Sequence, residues 1–176
     1  MADQNDPKLL QQALREFHAF VASFDSVMLA TVNAEEGNTQ SDAAIPEASY
    51  APVLVHEGRY YIFVSELALH TRNLLHNPTA ALLFIEDETR SSNVFARQRA
   101  SVRVQAEEVA REAEHWHRVI NLMEEKFPKM MPLLRTLNDF HLLQLTPQSG
   151  SYTAGFGKAY ELSGDGLQEI RHISRR

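Results

Sequence analysis

The fold is decided by residues 48–65, which read ASYAPVLVHEGRYYIFVS. Two apolar runs flank Glu57-Gly58, and a glycine-containing pair between two such runs is typical of a β-hairpin. The preceding segment VMLATVN, residues 27–33, has the composition of a further strand. The sequence therefore predicts an antiparallel meander as the first sheet layer.

More strands are predicted outward from this hairpin. TAALLFIED (79–87) and FARQRASVRVQAEEV (95–109) indicate two strands, and the second alternates apolar and polar residues with period two. DFHLLQLTPQSGSYTAGFGKAYEL (139–162) indicates a strand, a turn at Pro147 to Gly150 and a closing strand. Because strands outnumber helices without regular alternation, we expect a mainly β (α+β) antiparallel barrel with peripheral helices.

One domain spanning residues 1–176 is expected. An amphipathic helix follows Asp6-Pro7 and accounts for residues 1–25. Residues 107–137 are rich in helix formers and are interrupted by Pro128 and Pro132, which predicts a helical insertion of two helices joined by a bend. Residues 164–176 form a polar C-terminal tail.

Composition narrows the classes of function. The 176 residues are 44% hydrophobic and carry a net charge of -6, so the field of the molecule repels polyanions. The chain has no cysteine, which favours a reducing compartment. The N-terminus lacks the pattern of a secretory signal, and the longest apolar run, Ala80 to Ile85, is too short to cross a bilayer. We expect a cytoplasmic protein with neither nucleic-acid nor membrane partners.

The segment SELALHTRNLLHNP, residues 65–78, combines a predicted helix start with hydrogen-bond donors. Free amides at a helix N-terminus, together with Ser65, Thr71 and Arg72, suit a phosphate or carboxylate group. The alternative is a short helix whose polar face is solvated. Both interpretations stay open at the level of spacing.

Two arginines and a glycine pair form further candidates. Arg97 and Arg99 lie on one side of a strand if the strand has already begun at Arg97. Alternatively, they pair with the acidic run Glu86 to Glu88. Gly155 and Gly157 leave space where a flat ligand could lie against backbone, or else mark a bulge at a barrel corner.

Asp139 opens a predicted strand after a helix. Its carboxylate is either a turn acceptor or a group that orients a histidine ring. The eight histidines show no HExxH arrangement and the chain has no cysteine to complete a Cys/His set, so no zinc site is predicted. The chain also lacks the glycine fingerprints of hydrolases, NTPases and dinucleotide-binding folds.

Six motifs occur in an order that resembles the HutZ/HugZ family of haem-utilisation proteins. They are SYAP (49–52), SELALHTRNLLHNP (65–78), IEDE (85–88), FARQR (95–99), NDF (138–140) and GFGKAY (155–160). The similarity covers roughly residues 27–167. It implies the split-barrel fold of pyridoxamine phosphate oxidase, of the FMN-binding type. It further implies a homodimer that holds haem at the subunit interface and cleaves it oxidatively, using an external electron donor.

The resemblance also assigns roles to residues of this chain. Arg99 matches a distal arginine on the oxygen side of the haem, and Asp139 matches a carboxylate that hydrogen-bonds the proximal histidine across the dimer. His172 is the histidine available in the tail as axial ligand to the haem iron, although the family pattern places the ligand a few residues further along. The remaining residues implied to contact the cofactor are His70, Thr71, Arg72, Arg97, Gly155, Phe156 and Gly157.

Two rival functions remain open from the sequence. One is an FMN-dependent oxidoreductase of the pyridoxamine phosphate oxidase-like group, with Thr71, Arg72 and Arg97 on the flavin phosphate. The other is a non-catalytic haem store or carrier, which an absent axial ligand would favour.

Overall fold

The structure, a computed structural model, describes residues 6–33 and 45–173. The strands found there are β1 (Ser26–Asn33), β2 (Ile45–Pro52), β3 (Leu54–His56), β4 (Arg59–Ser65), β5 (Thr79–Ile85), β6 (Arg99–Glu108), β7 (Phe140–Gly155), β8 (Lys158–Ser163) and β9 (Glu169–His172). The helices are α1 (Pro7–Ala22), α2 (Leu69–His76), α3 (Glu114–Lys126) and α4 (Met131–Leu134), with single 3₁₀ turns at 88–90, 94–96 and 165–167.

All of these strands pair antiparallel in one sheet of order β2-β1-β5-β6-β7-β4-β3, with β8 added to β7 and β9 to β8. The long strand β7 changes partner along its length. Residues 140–145 pair with β4, whereas residues 150–155 pair with β8. The predicted mainly β, antiparallel split barrel with peripheral helices is therefore confirmed.

The turn predicted at Pro147 to Gly150 is wrong. The chain continues through this segment as β7, and β6 pairs with it on both sides of a register shift between Arg103 and Val104. Val104 lies opposite Pro147 and Arg103 opposite Ser149, so Gln148 is an extra residue in a β-bulge. Proline has no N–H to give to a ladder, and here it lies where β7 leaves one partner for the next.

The barrel interior follows from period-two alternation. In β6 every second residue from Ala100 to Ala106 is buried and the residues between them are exposed. The predicted hairpin between β3 and β4 is also confirmed, because Glu57 and Gly58 both have positive φ, as a tight hairpin turn requires. These inward side chains form the main core, which also takes in Phe17 of α1.

Helices cover two parts of the sheet. Helix α1 starts behind Asp6, whose side chain accepts from the Lys8 amide, and it buries Ala13, Phe17 and Val21 against the barrel. Helix α3 lies on the outer face of β4 and β7, where Trp116 belongs to a second apolar cluster. No helix in 6–33 or 45–173 is long and apolar enough to span a membrane.

Two segment boundaries differ from the sequence-based expectation. Residues 107–108 complete β6, so the helices of the expected 107–137 insertion lie within 114–134. The expected polar tail contains β9 within its described part, since Glu169 to His172 pairs with β8. Burial of Leu167 in the main core anchors this segment to the barrel.

Candidate functional site

One group of predicted residues lies where β6 begins, and we call it the Arg99 end: Arg97, Arg99, Gly155, Phe156, Gly157 and His172. Arg99 pairs with Thr153 of β7, and the β7–β8 turn follows directly. The exposed Arg99 guanidinium donates to the Arg97 carbonyl at 3.1 Å. It has no carboxylate partner within the described part of the chain. Arg99 is therefore able to bind an external anion.

Arg97 is engaged within the protein. Its Nε donates to the Glu86 carbonyl at 3.0 Å, and its Nη1 lies 3.0 Å from Glu88 Oε1. Strand β6 begins only at Arg99, so the two arginines do not alternate on a common strand. Of the two interpretations of Arg97, the structure therefore shows pairing with the acidic segment Glu86 to Glu88. This geometry does not support the assignment of Arg97 to a cofactor.

Two exposed aromatic rings lie in the turns next to the start of β6 and the end of β7. Phe156, in the turn between Gly155 and Gly157, is 83% exposed, and Phe95, in the 3₁₀ turn beside β7, is 90% exposed. Both glycines have positive φ, and a Cβ at either position would meet no atom within 4 Å. The turn thus leaves open space beside an aromatic ring, as a flat ligand requires.

His172 is tied to the same turn. It lies opposite Tyr160 in the ladder, with its ring edge-to-face on the tyrosine at 5.5 Å. Its Nε2 is 3.1 Å from the Gly157 carbonyl, and since a carbonyl only accepts, Nε2 carries the proton. Nδ1 is buried without a hydrogen-bond partner among the described residues. An axial bond through Nε2 requires His172 to leave Gly157.

The second group lies where β7 begins, and we call it the Asp139 end: Ser65, His70, Thr71, Arg72 and Asp139. Ser65 Oγ donates to Asp139 Oδ2 at 2.7 Å, and the Glu66 amide donates to the Asp139 carbonyl at 2.8 Å. Asp139 is half-buried and has no cationic partner in the described ranges. Its carboxylate can therefore accept a further hydrogen bond.

Helix α2 brings three more predicted residues to the Asp139 end. Burial lowers the pKa of His70, whose Nε2 is buried without a partner among the described residues. The fully buried Thr71 hydroxyl is likewise unpaired within the described ranges. Arg72 is exposed. Buried unpaired polar atoms cost free energy, so this end has unused capacity to bind a polar group.

The two ends lie at opposite ends of the β7 ladder. His172 lies opposite Tyr160, which lies opposite Tyr152 of β7. The strand between Asp139 and Tyr152 spans about 40 Å at about 3.3 Å per residue. Neither end by itself holds both the Asp139 carboxylate and His172. The phosphate set of the flavin alternative is divided in the same way, since Thr71 and Arg72 belong to α2, which follows β4, whereas Arg97 directly precedes β6.

A sequence profile described as pyridoxamine 5'-phosphate oxidase matches residues 13–154. The chain belongs to the pyridoxamine 5'-phosphate oxidase family. Within this family it is 37% identical over 158 residues to the protein named heme oxygenase HutZ of Vibrio cholerae, covering 90% of this chain and 85% of that protein. The resemblance inferred from the six motifs is confirmed.

Solved structures of related proteins have the same fold as this chain. Campylobacter jejuni ChuZ superposes with a TM-score of 0.79 at 30% identity, over 93% of this chain and 63% of ChuZ, so this chain spans less than two thirds of ChuZ. The crystal structure of HutZ, there described as the heme storage protein from Vibrio cholerae, gives a TM-score of 0.71 at 33% identity, over 83% of this chain and 96% of that one.

The protein also has a histidine held between two glutamates, which sequence reasoning missed. His141 Nδ1 lies 2.6 Å from Glu108 Oε1, and its Nε2 lies 2.8 Å from Glu66 Oε1. Burial lowers the pKa of His141, but the hydrogen bonds to Glu108 and Glu66 outweigh it, and the pKa is raised overall. The three residues lie far apart in sequence, and only the pairing of β4, β6 and β7 brings them together.

A row of apolar side chains lies on the outer face of the sheet, across strands β2, β1 and β5. Tyr50, Met28 and Leu83 lie opposite one another in register, and Tyr50 and Met28 are 70% and 53% exposed. Adjacent exposed apolar side chains are typical of a surface that another molecule covers. Sequence reasoning also missed Phe95 as an exposed aromatic residue. The signal in the sequence is the apolar pair Val94-Phe95, which directly follows the polar residues Ser91 to Asn93.

Proposed function

We propose that this protein binds haem in a site built by two copies of the chain and cleaves the macrocycle oxidatively to release iron. The observation that carries the proposal is the distribution of the site residues between two ends of one molecule. A two-fold dimer is self-complementary, so it can place the Arg99 end of one chain against the Asp139 end of its partner. Two such composite sites would form in each dimer.

The residues of the Arg99 end fit a haem. Phe95 and Phe156 offer exposed rings for the faces of a planar macrocycle, and the Arg99 guanidinium offers a positive charge. His172 Nδ1 has a lone pair that nothing in the described part of the chain uses, but Nδ1 is buried and Nε2 is bound to the Gly157 carbonyl, so the imidazole would have to turn to reach a ligand. Haem, when bound, supplies a redox-active iron and a ring that is open to oxidation.

The chain's own residues have distinct roles in this proposal. His172 would hold the iron, and Asp139 of the second copy would accept the remaining imidazole N–H, which would make the imidazole a stronger electron donor. Arg99 would stabilise negative charge that develops on the bound ligand. Arg72, which is exposed, would bind an anionic substituent of the ligand, whereas the Thr71 hydroxyl is fully buried and would support the helix behind it. Electrons come from an external donor, because oxidative ring cleavage consumes oxygen and reducing equivalents.

The relatives' names support haem binding more directly than they support chemistry. HutZ is named as a heme oxygenase in one case and described as a heme storage protein in the other. The contact of His172 Nε2 with the Gly157 carbonyl favours storage as the second candidate function, since the imidazole would have to leave this carbonyl before Nε2 could bind a metal. Flavin binding is the remaining alternative.

Titration of the purified protein with haemin, followed by ascorbate and oxygen, separates these functions. We expect a Soret band that saturates at one haem per chain, shifts in His172→Ala, and bleaches with release of iron. Arg99→Ala should bind haem but bleach slowly, whereas the control Arg103→Ala, an exposed arginine on the same face of β6, should behave as wild type. Binding without bleaching indicates storage, and flavin absorbance in the purified protein without haem binding refutes the proposal.

A further inference from the structure

The Asp139 carboxylate has one hydrogen bond within the described part of the chain, and Ser65 provides it. The Ser65 hydroxyl lies 2.7 Å from Oδ2. Oδ1 has no partner among the described residues. The backbone beside the carboxylate is also fixed, because the Asp139 carbonyl accepts from the Glu66 amide at 2.8 Å.

The direction of the Ser65 hydroxyl is determined by the turn that follows β4. The Leu67 amide donates to Ser65 Oγ at 3.1 Å, and the Ala68 amide donates to the Ser65 carbonyl at 3.1 Å. A serine hydroxyl has one proton. Since Oγ accepts from Leu67, its own proton is directed to Asp139. The hydroxyl therefore connects the turn before α2 to the carboxylate before β7.

This contact restricts how the carboxylate can rotate. With Oδ2 occupied by Ser65, Oδ1 is the oxygen left to accept from an incoming N–H. A fixed acceptor makes a shorter and better aligned hydrogen bond than one that rotates freely, because less orientational freedom is lost on binding. The hydrogen bond between a carboxylate and an imidazole in turn determines how strongly the imidazole donates to a metal.

We propose that Ser65 is a positioning residue that holds the Asp139 carboxylate so that Oδ1 accepts the N–H of the iron-bound histidine. This inference rests on the proposed function, in which that histidine comes from the second copy of the chain. Ser65 itself touches neither the haem nor the iron. It acts through Asp139, and its loss should therefore reproduce part of the effect of losing the carboxylate.

A purely structural role for Ser65 makes a different prediction. If the hydroxyl served only to accept from Leu67, removing it would loosen the turn and lower the melting temperature without changing the iron–histidine bond. Ser65→Thr keeps a hydroxyl at the same position and should restore both properties. Ser23→Ala is the matched control, since Ser23 Oγ donates to the Phe20 carbonyl at the end of α1, remote from Asp139.

The test is the iron–imidazole stretching band of the ferrous haem complex, measured by resonance Raman for wild type, Asp139→Asn, Ser65→Ala, Ser65→Thr and Ser23→Ala. Replacing the carboxylate by a neutral, weaker acceptor makes the imidazole a weaker donor to iron, so Asp139→Asn should move the band to lower frequency and the reduction potential upward. Ser65→Ala should move both in the same direction by a smaller amount. Ser65→Thr and Ser23→Ala should match wild type.

Each other outcome overturns a defined part of the proposal. A wild-type band in Ser65→Ala beside a shifted band in Asp139→Asn refutes the role of Ser65 and leaves the proposed function intact. An unshifted band in Asp139→Asn refutes the role of Asp139 and, with it, that of Ser65. Absence of haem binding in wild type refutes the proposed function. If Ser65→Ala does not fold, Ser65→Cys, with its weaker donor, should give an intermediate band.

Discussion

Arg111 should stabilise the segment that carries Asp139. Its guanidinium donates to the carbonyls of Arg135 at 3.0 Å, Leu137 at 2.5 Å and Phe140 at 2.9 Å. Its Cζ also lies 5.2 Å from the centre of the Trp116 ring. The substitution Arg111→Met keeps much of the side-chain volume and removes every one of these donors. The three carbonyls would then depend on water.

The expected loss follows from these contacts. Hydrogen bonds to a charged group contribute about 1.5–3 kcal/mol each when buried, and the half-buried position of Arg111 brings the three nearer to about 1 kcal/mol each. Adding about 0.5 kcal/mol for the cation–π contact, Arg111→Met should lower the free energy of unfolding by about 3.5 kcal/mol. Arg103→Met, an exposed arginine of β6, should change it by less than about 0.5 kcal/mol.

Urea denaturation of the haem-free protein, at one protein concentration for all variants, measures this difference. Hydrogen exchange should also show faster exchange of the Glu66 amide, whose acceptor is the Asp139 carbonyl in the released segment. A loss below about 1 kcal/mol, or a loss equal to that of Arg103→Met, would show that the carbonyls find equivalent partners without the guanidinium.

Three further changes test other contacts. Replacing His141 by Gln removes stabilisation that is complete below the ordinary histidine pKa of 6.5 and is lost as pH rises through the raised pKa. The difference in melting temperature from wild type should therefore shrink as pH rises above 6.5, and a constant difference refutes the pairing. Phe95→Ser and Phe156→Ser should each weaken haem binding about tenfold or more without lowering the melting temperature, and unchanged affinity would remove these rings from the site. Asn73→Ala leaves the buried Thr31 hydroxyl without its partner at 2.9 Å and should lower the free energy of unfolding by about 1–3 kcal/mol. Adding Thr31→Val should restore part of this loss, and full additivity of the two changes would contradict the contact.

The strands were predictable because burial on one face imposes a period of two. The hairpin at Glu57-Gly58 and the alternation along β6 are both visible in the sequence. Pro147 was misread because proline and glycine signal turns, and a bulge in a continuous strand uses the same residues. Strand β9 was missed because its short, polar sequence is paired only through tertiary structure.

The candidate site was predictable as a set of residues but not as a geometry. The resemblance nominated Arg99 and Asp139, and His172 was chosen as the histidine available in the tail; where these residues lie relative to β7 depends on strand pairing that spacing along the chain does not reveal. The capture of Arg97 by Glu86 and Glu88, and the hydrogen bond from Ser65 to Asp139, are contacts between side chains that only the folded sheet places together.

A mixed dimer tests most directly whether the site is shared between two chains. Differently tagged His172→Ala and Asp139→Asn chains, co-expressed and purified as the heterodimer, leave one histidine able to bind iron. If the site is composite, that histidine comes from the Asp139→Asn chain and meets the intact Asp139 of the other. The account predicts one ligated haem per heterodimer with the wild-type iron–imidazole band. A band at the position of the Asp139→Asn homodimer would contradict it, because the histidine would then be paired with the carboxylate position of its own chain.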